Sequence, residues 1–354
     1  MKLIAVEILL FFLTGCANLS APPEQETKSN VIVSHGQMPS VVKDSKNNLH
    51  LVYGIGDSIM YSFSVDGGKN FSSPSLVSVL PELAASHMRG PQLAATSEGL
   101  SLIACNSSGD ILSYAKDERN TWTKTAKVND VDTVAKEGLM ALTADGRNAF
   151  ATWLDLRGNR QNKIFGARSN DDGKTWSKNF LIYESPDGTV CECCKPSVVM
   201  KGNNVYVMFR NWVNRNRDLY VVQSSDGGNT FGQATKLGEG SWKLDGCPMD
   251  GGAIVLDKNG NPETVWKRKD NIFSCEPGKP EQKIGEGRNC TTAIVNEKNV
   301  YAWTQNGEVV LLKPGGTREK LGRGSLPILT SLDSDHVICI WENERQIHSS
   351  IIGL

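Results

Sequence analysis

The chain has 354 residues and a formal net charge of −1 at pH 7, with 22% charged residues. Such a balanced charge gives no broad basic surface of the kind that binds nucleic acid, so nucleic acid is not an expected partner. At this length the chain can bury one large hydrophobic core or two smaller ones.

The N-terminal segment is typical of an export signal followed by a tether. Residues 1–15 contain one lysine and an apolar run that is too short to span a bilayer. The sequence LTGC at 13–16 resembles a bacterial lipobox, which implies cleavage before Cys16 and lipidation of its thiol. An ordinary cleaved signal is the alternative. Residues 16–29 are polar and carry prolines, as in a flexible tether.

We therefore expect a signal peptide over 1–15, a lipidated Cys16 with its tether over 16–29, and one folded domain over 30–354. The domain would lie in the bacterial cell envelope, anchored to a membrane by the lipid. The outer membrane is favoured, with the domain facing the periplasm or the cell surface. In this oxidising compartment, disulfides are the default expectation for the remaining cysteines.

Seven similar segments follow one another along the domain. Each consists of an apolar strand, a polar turn and an alternating strand. The segments are 38–54, 90–106, 138–154, 195–210, 248–267, 289–304 and 325–342. Their second strands end near Tyr53, Cys105, Trp153, Phe209, Trp266, Trp303 and Trp341. Helical periodicity is hard to find after residue 30, so we predict an all-β fold.

A short motif, Ser-x-Asp-x-Gly-x-x-aromatic, recurs at 64–71, 169–176 and 224–231, and a degenerate copy lies at 114–122. Its aspartates are Asp66, Asp117, Asp171 and Asp226, spaced at intervals typical of propeller blades. The motif resembles the Asp-box, or BNR, repeat of the sialidase (neuraminidase) superfamily. This resemblance implies a β-propeller in which the motif forms a structural turn between the two outer strands of a blade. The active face would lie at the opposite end.

The seven segments predict seven blades, although six remain possible because sialidases themselves have six. The last segment ends with RQIHSSII at 345–352 and lacks a fourth strand. The strand-like stretch NVIVSH at 30–35 has no other partner, so we expect it to complete this last blade. Closure would remove the exposed sheet edges that promote aggregation.

The loops that lead into the blades contain a group of cationic residues. Arg89, Arg288 and Arg323 occupy nearly the same position in three repeats, and Lys195 lies in a fourth. Arginines that converge near a propeller axis would bind a carboxylate, and sialidases use an arginine triad in this way. The match is incomplete, because no tyrosine follows Tyr301 to serve as the late nucleophile of that family. Arginines that bond main-chain carbonyls are the alternative.

Sulfur-bearing residues form a second group in the same loops. Cys191, Cys193, Cys194, Cys247 and Cys290 are the candidates for disulfides, of which a bridge between the CECC loop and Cys247 is favoured. In this bridge Cys194 would pair with Cys247 and join neighbouring blade entries. Together with His87 and Met249, four of these cysteines (191, 193, 194 and 247) could instead bind copper or zinc. No cofactor is predicted if the cysteines pair.

Polar and aromatic residues at the ends of the inner strands form a third group. Asp155, Arg157, Arg210, Trp212 and Asp250 would suit a sugar, because aromatic rings stack on its apolar face while polar groups bind its hydroxyls. The tryptophans at 153, 266, 303 and 341 are interpreted as core. The carboxylates that could act as acid or base on this face are Glu137, Asp155, Glu192, Asp245 and Asp250.

These groups predict a protein that binds an anionic glycan or a partner protein at the arginine- and cysteine-lined face. One alternative is an exo-acting glycoside hydrolase of the exo-α-sialidase type. Another is a soft-metal protein that binds copper. Whether the protein is an enzyme stays open at this stage.

Overall fold

The computed structural model describes residues 31–117 and 119–354, and every regular element in these ranges is a β-strand. The strands form seven four-stranded antiparallel sheets, as the favoured seven-blade prediction requires. The described ranges contain no helix that could cross a membrane. The predicted signal peptide, Cys16 and the tether lie outside the described residues.

Blades one to four follow each other in chain order, and each runs from its innermost to its outermost strand. Blade one contains β2 (Gln37–Lys43), β3 (Leu49–Ile55), β4 (Ser58–Ser64) and β5 (Ser75–Val79). Blade two contains β6 (Gln92–Thr96), β7 (Gly99–Cys105), β8 (Ile111–Lys116) and β9 (Trp122–Lys127). Blade three contains β10 (Met140–Asp145), β11 (Asn148–Asp155), β12 (Lys163–Ser169) and β13 (Phe180–Tyr183). Blade four contains β14 (Ser197–Lys201), β15 (Asn204–Arg210), β16 (Leu219–Ser224) and β17 (Thr235–Lys236).

Blades five to seven complete the ring. Blade five contains β18 (Ala253–Leu256), β19 (Pro262–Arg268), β20 (Asn271–Cys275) and β21 (Gln282–Glu286). Blade six contains β22 (Arg288–Val295), β23 (Lys298–Gln305), β24 (Glu308–Leu312) and β25 (Arg318–Arg323). Blade seven contains β26 (Ser325–Ser331), β27 (His336–Asn343), β28 (Gln346–Gly353) and, as its outermost strand, β1 (Val31–His35).

The pairing of β1 with β28 confirms that the N-terminal strand closes the last blade. Val31 pairs with Ser349 and His35 pairs with Gln346 in antiparallel register. Around the axis, the innermost strand of each blade contacts the innermost strands of both neighbours, including β2 against β26. The sheets therefore form a closed ring.

Most of the largest buried side chains lie on the second strands of the blades. Trp153, Trp266, Trp303 and Trp341 are each at most 2% exposed and pack in clusters between neighbouring sheets. Their burial supports the interpretation of these four tryptophans as core. Because the apolar faces of adjacent blades meet here, the hydrophobic effect stabilises the whole ring.

The Asp-box copies form the turns between the third and fourth strands. In the third copy, Ser224 Oγ accepts from the Gly228 N–H at 2.9 Å and donates to Asp226 Oδ1 at 2.7 Å. Asp226 Oδ1 also accepts from the Thr230 N–H at 2.9 Å. The copies at Asp66 and Asp171 repeat this pattern. In the degenerate copy, Asp117 Oδ1 accepts from the Thr121 N–H at 3.0 Å.

The glycine and the aromatic residue of each motif contact the preceding blade. A Cβ atom on Gly228 would lie 2.4 Å from Cε2 of Phe150 in blade three. The Phe231 ring meets the same Phe150 ring edge-on at 6.0 Å. In the degenerate copy, Trp122 packs edge-on against Tyr61 of blade one at 5.5 Å. The motif thus joins blades, which agrees with its predicted structural role.

Candidate functional site

The two ends of the propeller carry different loops. One end holds the Asp-box turns and the hairpins between the first and second strands. The other end holds the lead-in segments, which we define as the loops that precede each innermost strand, and the loops between the second and third strands. The strand positions place all the predicted ligand-binding and metal-binding candidates at this second end, which we call the lead-in face.

A cavity of about 360 Å³ lies on the axis and is lined by the innermost strands of all seven blades. At its mouth, Met38, Met88 and Leu326 are held in the left-handed backbone region, with φ of 52°, 71° and 56°. Non-glycine residues seldom adopt this conformation, and its cost of roughly 1–3 kcal/mol per residue is offset elsewhere in the fold. The mouth is therefore an apolar rim of defined shape.

Lys195 is the one charged residue among those lining this axial cavity in the described parts of the chain. Its Nζ donates to Gln92 Oε1 at 2.6 Å, and within residues 31–117 and 119–354 it forms no ion pair with a carboxylate. Burial lowers the pKa of Lys195 from 10.5 to about 8. The ammonium group therefore stays mostly protonated at pH 7 while it lacks a negative partner.

The three predicted arginines differ in how far they are already paired. Arg89 donates to the main-chain oxygen of Glu137 and lies 3.6 Å from its carboxylate. Arg288 is exposed and contacts Asn289 Oδ1 at 3.1 Å. Arg323 is exposed at the same end of blade six. Neither Arg288 nor Arg323 forms an ion pair with another described residue.

Asp250 lies beside the cavity, but its carboxylate is turned into the protein. It is fully buried, and its Oδ2 accepts from the Asn289 N–H at 2.6 Å. Its Oδ1 has no hydrogen-bond partner among the described residues. Burial raises the pKa of Asp250 although the nearby Arg210 charge opposes this rise. The protonated form is therefore more favoured than for an exposed aspartate.

The CECC loop brings four cysteines together. Cys193 and Cys247 form a disulfide, which confirms the predicted bridge from this loop to the lead-in segment of blade five. The prediction that Cys194 supplies this bridge is wrong: the bridging residue is Cys193, because Cys194 points inward and is buried as a free thiol. Cys191 Sγ lies 3.5 Å from Cys194 Sγ and 3.7 Å from Cys193 Sγ. Two thiols and one disulfide are thus in direct contact.

Two arginines surround the buried thiol of Cys191. Arg217 Nη1 lies 3.1 Å from Cys191 Sγ and also binds Glu192 Oε2 at 3.1 Å. Hydrogen bonding with Cys194, together with the charges of Arg210 and Arg217, lowers the pKa of Cys191 to about 7. Burial and the neighbouring Cys191 raise the pKa of Cys194 well above its usual value. Cys191 is therefore the thiol of the pair that ionises more readily.

The other predicted cysteines and metal ligands lie apart from this cluster or are otherwise occupied. Cys290 is a buried free thiol that lines the axial cavity, and burial raises its pKa. His87 is exposed on the lead-in face. Met249 packs its side chain against the apolar core near the mouth. The three sulfur atoms of residues 191, 193 and 194 lie within 4.8 Å of one another, but the disulfide uses one of them.

Several residues predicted to bind a sugar hold the loops instead of facing the cavity. Arg210 is buried and donates to the main-chain oxygens of Asp250, Arg217 and Lys267. The carboxylate of Asp155 is fully buried and bonds the Arg157 guanidinium at 2.9 Å. The guanidinium of Arg210 and the carboxylate of Asp155 are therefore already hydrogen-bonded within the protein.

Trp212 remains partly exposed. The guanidinium carbon of Arg217 lies 4.7 Å from the centre of its ring. Asp245 is exposed beside it and pairs with Arg215 at 3.4 Å.

Glu137 combines partial exposure with a perturbed carboxyl group. Burial raises the pKa of Glu137, the Arg89 charge opposes this rise, and the Glu192 charge adds to it. Glu137 and Glu192 come from the lead-in segments of blades three and four, and each is paired with an arginine. Glu137 lies 3.6 Å from Arg89, and Glu192 lies 3.1 Å from Arg217.

Sequence reasoning missed Gln92 and the apolar rim of the mouth. Gln92 begins β6, where a polar residue is typical of a strand end and gives no sign of its bond to Lys195. The rim has a weak signal, since Gly-x-Met at 36–38, Gly-x-Asn at 287–289 and Gly-x-Leu at 324–326 recur at equivalent positions. In each, the third residue has a positive φ.

Several solved structures share the fold of this chain. An ulvan lyase bound to GlcA(1-4)Rha3S is 10% identical, with a TM-score of 0.56 over 92% of this chain and 96% of that chain. An inactive virginiamycin B lyase from Staphylococcus aureus is also 10% identical, with a TM-score of 0.55 over 92% and 98%. The intramolecular trans-sialidase from Ruminococcus gnavus is 12% identical, with a TM-score of 0.47 over 91% and 95%. At these identities, the likeness concerns the fold alone.

No curated protein matches the chain. A protein-family profile, the BNR repeat-like domain, matches residues 114–337, which is more than half of the chain. The matched range contains two of the three complete motifs and the degenerate copy, in a closed ring of seven blades. The chain therefore belongs to the BNR repeat-like family and is a seven-bladed β-propeller.

Proposed function

We propose that the protein binds an anionic ligand, either a glycan or an acidic segment of a partner protein, at the mouth of the axial cavity. The observation that carries this proposal is the position of Lys195. Its ammonium group lines the cavity, donates to one neutral partner, and has no carboxylate partner among the described residues.

Lys195 is half-buried. A charge that is partly withdrawn from water without a counter-charge costs free energy, and an anion from a ligand would offset that cost. An ammonium group has three donors, and Gln92 accepts from one of them. The others are available to carboxylate or sulfate oxygens. The anionic group of the ligand would therefore lie against Lys195.

The rim supports the same ligand class. Arg288 and Arg323 are exposed on blade six and carry no ion pair with another described residue. Their guanidinium groups would attract an anionic ligand and orient it over the mouth. Met38, Met88 and Leu326 would contact its apolar parts.

Calorimetric titration of the purified domain tests this proposal. The panel contains sialyllactose, a uronate-bearing oligosaccharide, a sulfated oligosaccharide and an acidic peptide, so that the glycan and the protein alternatives are separated. The ulvan lyase of the same fold, which is bound to GlcA(1-4)Rha3S, guides the choice of uronate and sulfate.

We expect binding of at least one probe and a loss of tenfold or more in affinity for Lys195→Met, because the substitution removes the buried charge. Lys46→Met is the matched control, since Lys46 is exposed in a hairpin at the opposite end. Equal binding by the Lys195→Met and Lys46→Met variants would contradict the proposal, as would the absence of binding across the panel.

A glycoside hydrolase of the exo-α-sialidase type is the second candidate, and Glu137 is the observation that favours it. A carboxyl group with a raised pKa beside Arg89 and Glu192 could act as a general acid. Against it, none of the seven tyrosines of the chain lines the axial cavity. Turnover of a fluorogenic sialoside that is lost in Glu137→Gln would favour this candidate.

Copper binding is supported less well, because the Cys193–Cys247 disulfide uses two of the proposed sulfur ligands. A site with three thiolates would require this disulfide to be reduced first. Elemental analysis of protein purified with and without reductant tests the point. Stoichiometric metal in both preparations would favour a copper protein.

The envelope location rests on the sequence at 13–16 and is retained as a proposal. Metabolic labelling with a radioactive fatty acid should mark the wild-type chain and leave Cys16→Ser unlabelled. Equal labelling of both chains would contradict lipidation at this position.

A further inference from the structure

The four cysteines of the lead-in face have an arrangement that neither anion binding nor a structural bridge requires. A disulfide that only ties two loops needs no further thiols beside it. Here, Cys191 Sγ lies 3.7 Å from one sulfur of the bridge and 3.5 Å from the third thiol, Cys194. Other free thiols, such as Cys105 and Cys339, are buried singly on strands.

The cysteines of the cluster also differ in their exposure to solvent and in their polar contacts. Cys191 and Cys194 are buried, whereas Cys247 is exposed. Arg217 Nη1 lies 3.1 Å from Cys191 Sγ, whereas Cys194 Sγ accepts from the Asp250 N–H at 3.4 Å. A positive charge stabilises a thiolate, and the thiolate is the form that attacks a disulfide.

We propose that these four residues form a thiol–disulfide exchange site, in which the disulfide moves between the outer pair Cys193–Cys247 and the buried pair Cys191–Cys194. The substrate class at its exposed end is a thiol or a disulfide that meets Cys247. This inference does not depend on the anionic ligand.

The first step is an attack of the Cys191 thiolate on Cys193 Sγ. A Cys191–Cys193 bond forms, the Cys193–Cys247 bond breaks, and the electron pair leaves on Cys247 Sγ. Because Cys247 is exposed, its thiolate takes a proton from water. Electrons balance within the protein, since one disulfide is lost and one is gained.

The second step moves the bond inward. Cys194 attacks Cys191 Sγ, which lies 3.5 Å away in the starting structure. The Cys191–Cys193 bond breaks, and the proton of Cys194 passes to the leaving Cys193 sulfur, since the three sulfur atoms lie within 4.8 Å of one another. The net change is a disulfide transferred from the outer to the buried pair, with no external oxidant or reductant.

The exchange would also release a tie between blades. The Cys193–Cys247 bond joins the lead-in segments of blades four and five across a sequence separation of 54 residues. When the disulfide moves to Cys191–Cys194, it closes a loop within one segment, and Cys247 presents a free thiol at the surface.

Alkylation without reductant tests the proposal on the folded domain. Iodoacetamide is added at pH 7.5, the protein is digested under acidic conditions that stop exchange, and mass spectrometry maps the labelled thiols and the disulfides. We expect wild type to accumulate label on Cys247 together with a Cys191–Cys193 or Cys191–Cys194 bridge.

Cys191→Ser should label Cys247 at least tenfold more slowly, because the attacking sulfur is absent. Cys194→Ser should still label Cys247, but with the bridge stopped at Cys191–Cys193. Cys339→Ser is the matched control, since this thiol is buried on β27 away from the cluster, and it should label as wild type does.

Two results would overturn the proposal. One is a folded wild-type protein in which Cys247 stays unlabelled and only the Cys193–Cys247 bridge is found. The other is equal labelling of Cys247 in wild type and in Cys191→Ser. The wild-type map decides the question even if a variant fails to fold, and melting curves identify such a variant.

Discussion

At the scale of single residues, two adjacent glycines of an Asp-box turn allow the cost of backbone strain to be measured separately from the cost of a packing clash. Gly227 and Gly228 are adjacent, with φ of 71° and 83°, so alanine is strained at both positions. A Cβ atom on Gly228 would meet the Phe150 ring at 2.4 Å, whereas the nearest atom to a Cβ on Gly227 is 4.0 Å away. The two positions differ in packing alone.

We expect Gly227→Ala to lower the free energy of unfolding by about 1 kcal/mol through backbone strain. Gly228→Ala should cost roughly 1–3 kcal/mol more, because the Phe150 ring must move. Chemical denaturation followed by tryptophan fluorescence measures both values. Equal losses would show that the glycine is required for its φ and not for its contact with blade three.

Lys195 makes both ligand binding and stability depend on pH. Its pKa is about 8 in the folded protein, against 10.5 for an ordinary lysine. Between these values the unfolded chain holds a proton that the folded protein has lost, so this group adds stability as pH rises through that window. At pH 7 the buried charge is instead a cost.

Lys195→Met should therefore melt at a higher temperature than wild type at pH 7, and the difference should shrink toward pH 10. Binding of the anionic ligand to wild type should weaken as pH rises above about 8, since the ammonium group is lost. Melting curves and titrations at pH 6, 7, 8 and 9.5 check both trends. Affinity that is flat over this range would show that Lys195 does not contact the anion.

At the scale of the elements, the strands follow directly from sequence patterns. The seven predicted segments match the first and second strands of the seven blades, because period-two alternation and polar turns depend only on local physics. The exact disulfide pairing could not be predicted from such local patterns. Cys193 and Cys194 are adjacent in a loop without a regular repeat, so spacing could not determine which of them faces Cys247.

The strand β1 contributes to stability through a long-range pairing. A chain that begins at residue 36 lacks β1 and exposes the edge of β28, whose hydrogen-bonding groups then face solvent. We expect this chain to melt at a lower temperature and to aggregate more readily than a chain that begins at residue 31. Light scattering and calorimetry compare the two. Identical melting and solubility would mean that β1 is not needed to close the ring.

At the scale of the whole molecule, the closed ring made the position of the site predictable but not its chemistry. Connectivity alone brings the lead-in segments to one face, so the residues could be grouped from the sequence. Which charges are free depends on pairing between loops of different blades. Arg210 donates to three main-chain carbonyls, whereas Lys195 Nζ donates to one side-chain amide oxygen, and no local sequence pattern distinguishes the two.

The aspartates in the turns of the opposite face make the stability of the protein depend on pH in the acidic range. Main-chain N–H groups in the turns lower the pKa values of Asp66 (to about 2), Asp226, Asp257 and Asp333. A carboxyl group whose pKa is lowered by folding stabilises the protein fully at a pH above its ordinary pKa of 3.8. This stabilisation is lost as the pH falls toward the pKa of the group in the folded protein.

We expect the melting temperature to fall steeply between pH 4 and pH 2, because several turns around the ring lose their hydrogen-bond acceptors together. Asp226→Asn should reduce this dependence and lower the melting temperature at neutral pH. A melting temperature that stays constant from pH 5 to pH 2.5 would show that the turns do not contribute in this way.

The direction of β1 determines at which end of the propeller the first described residue, Val31, lies. Because β1 runs antiparallel to β28 and leads into Met38, the polypeptide reaches blade seven travelling from the Asp-box side toward the axial mouth. Val31 therefore lies at the Asp-box end of the ring, and the mouth of the axial cavity lies at the other end. A surface that held the molecule at Val31 would leave the mouth of the cavity facing away from that surface.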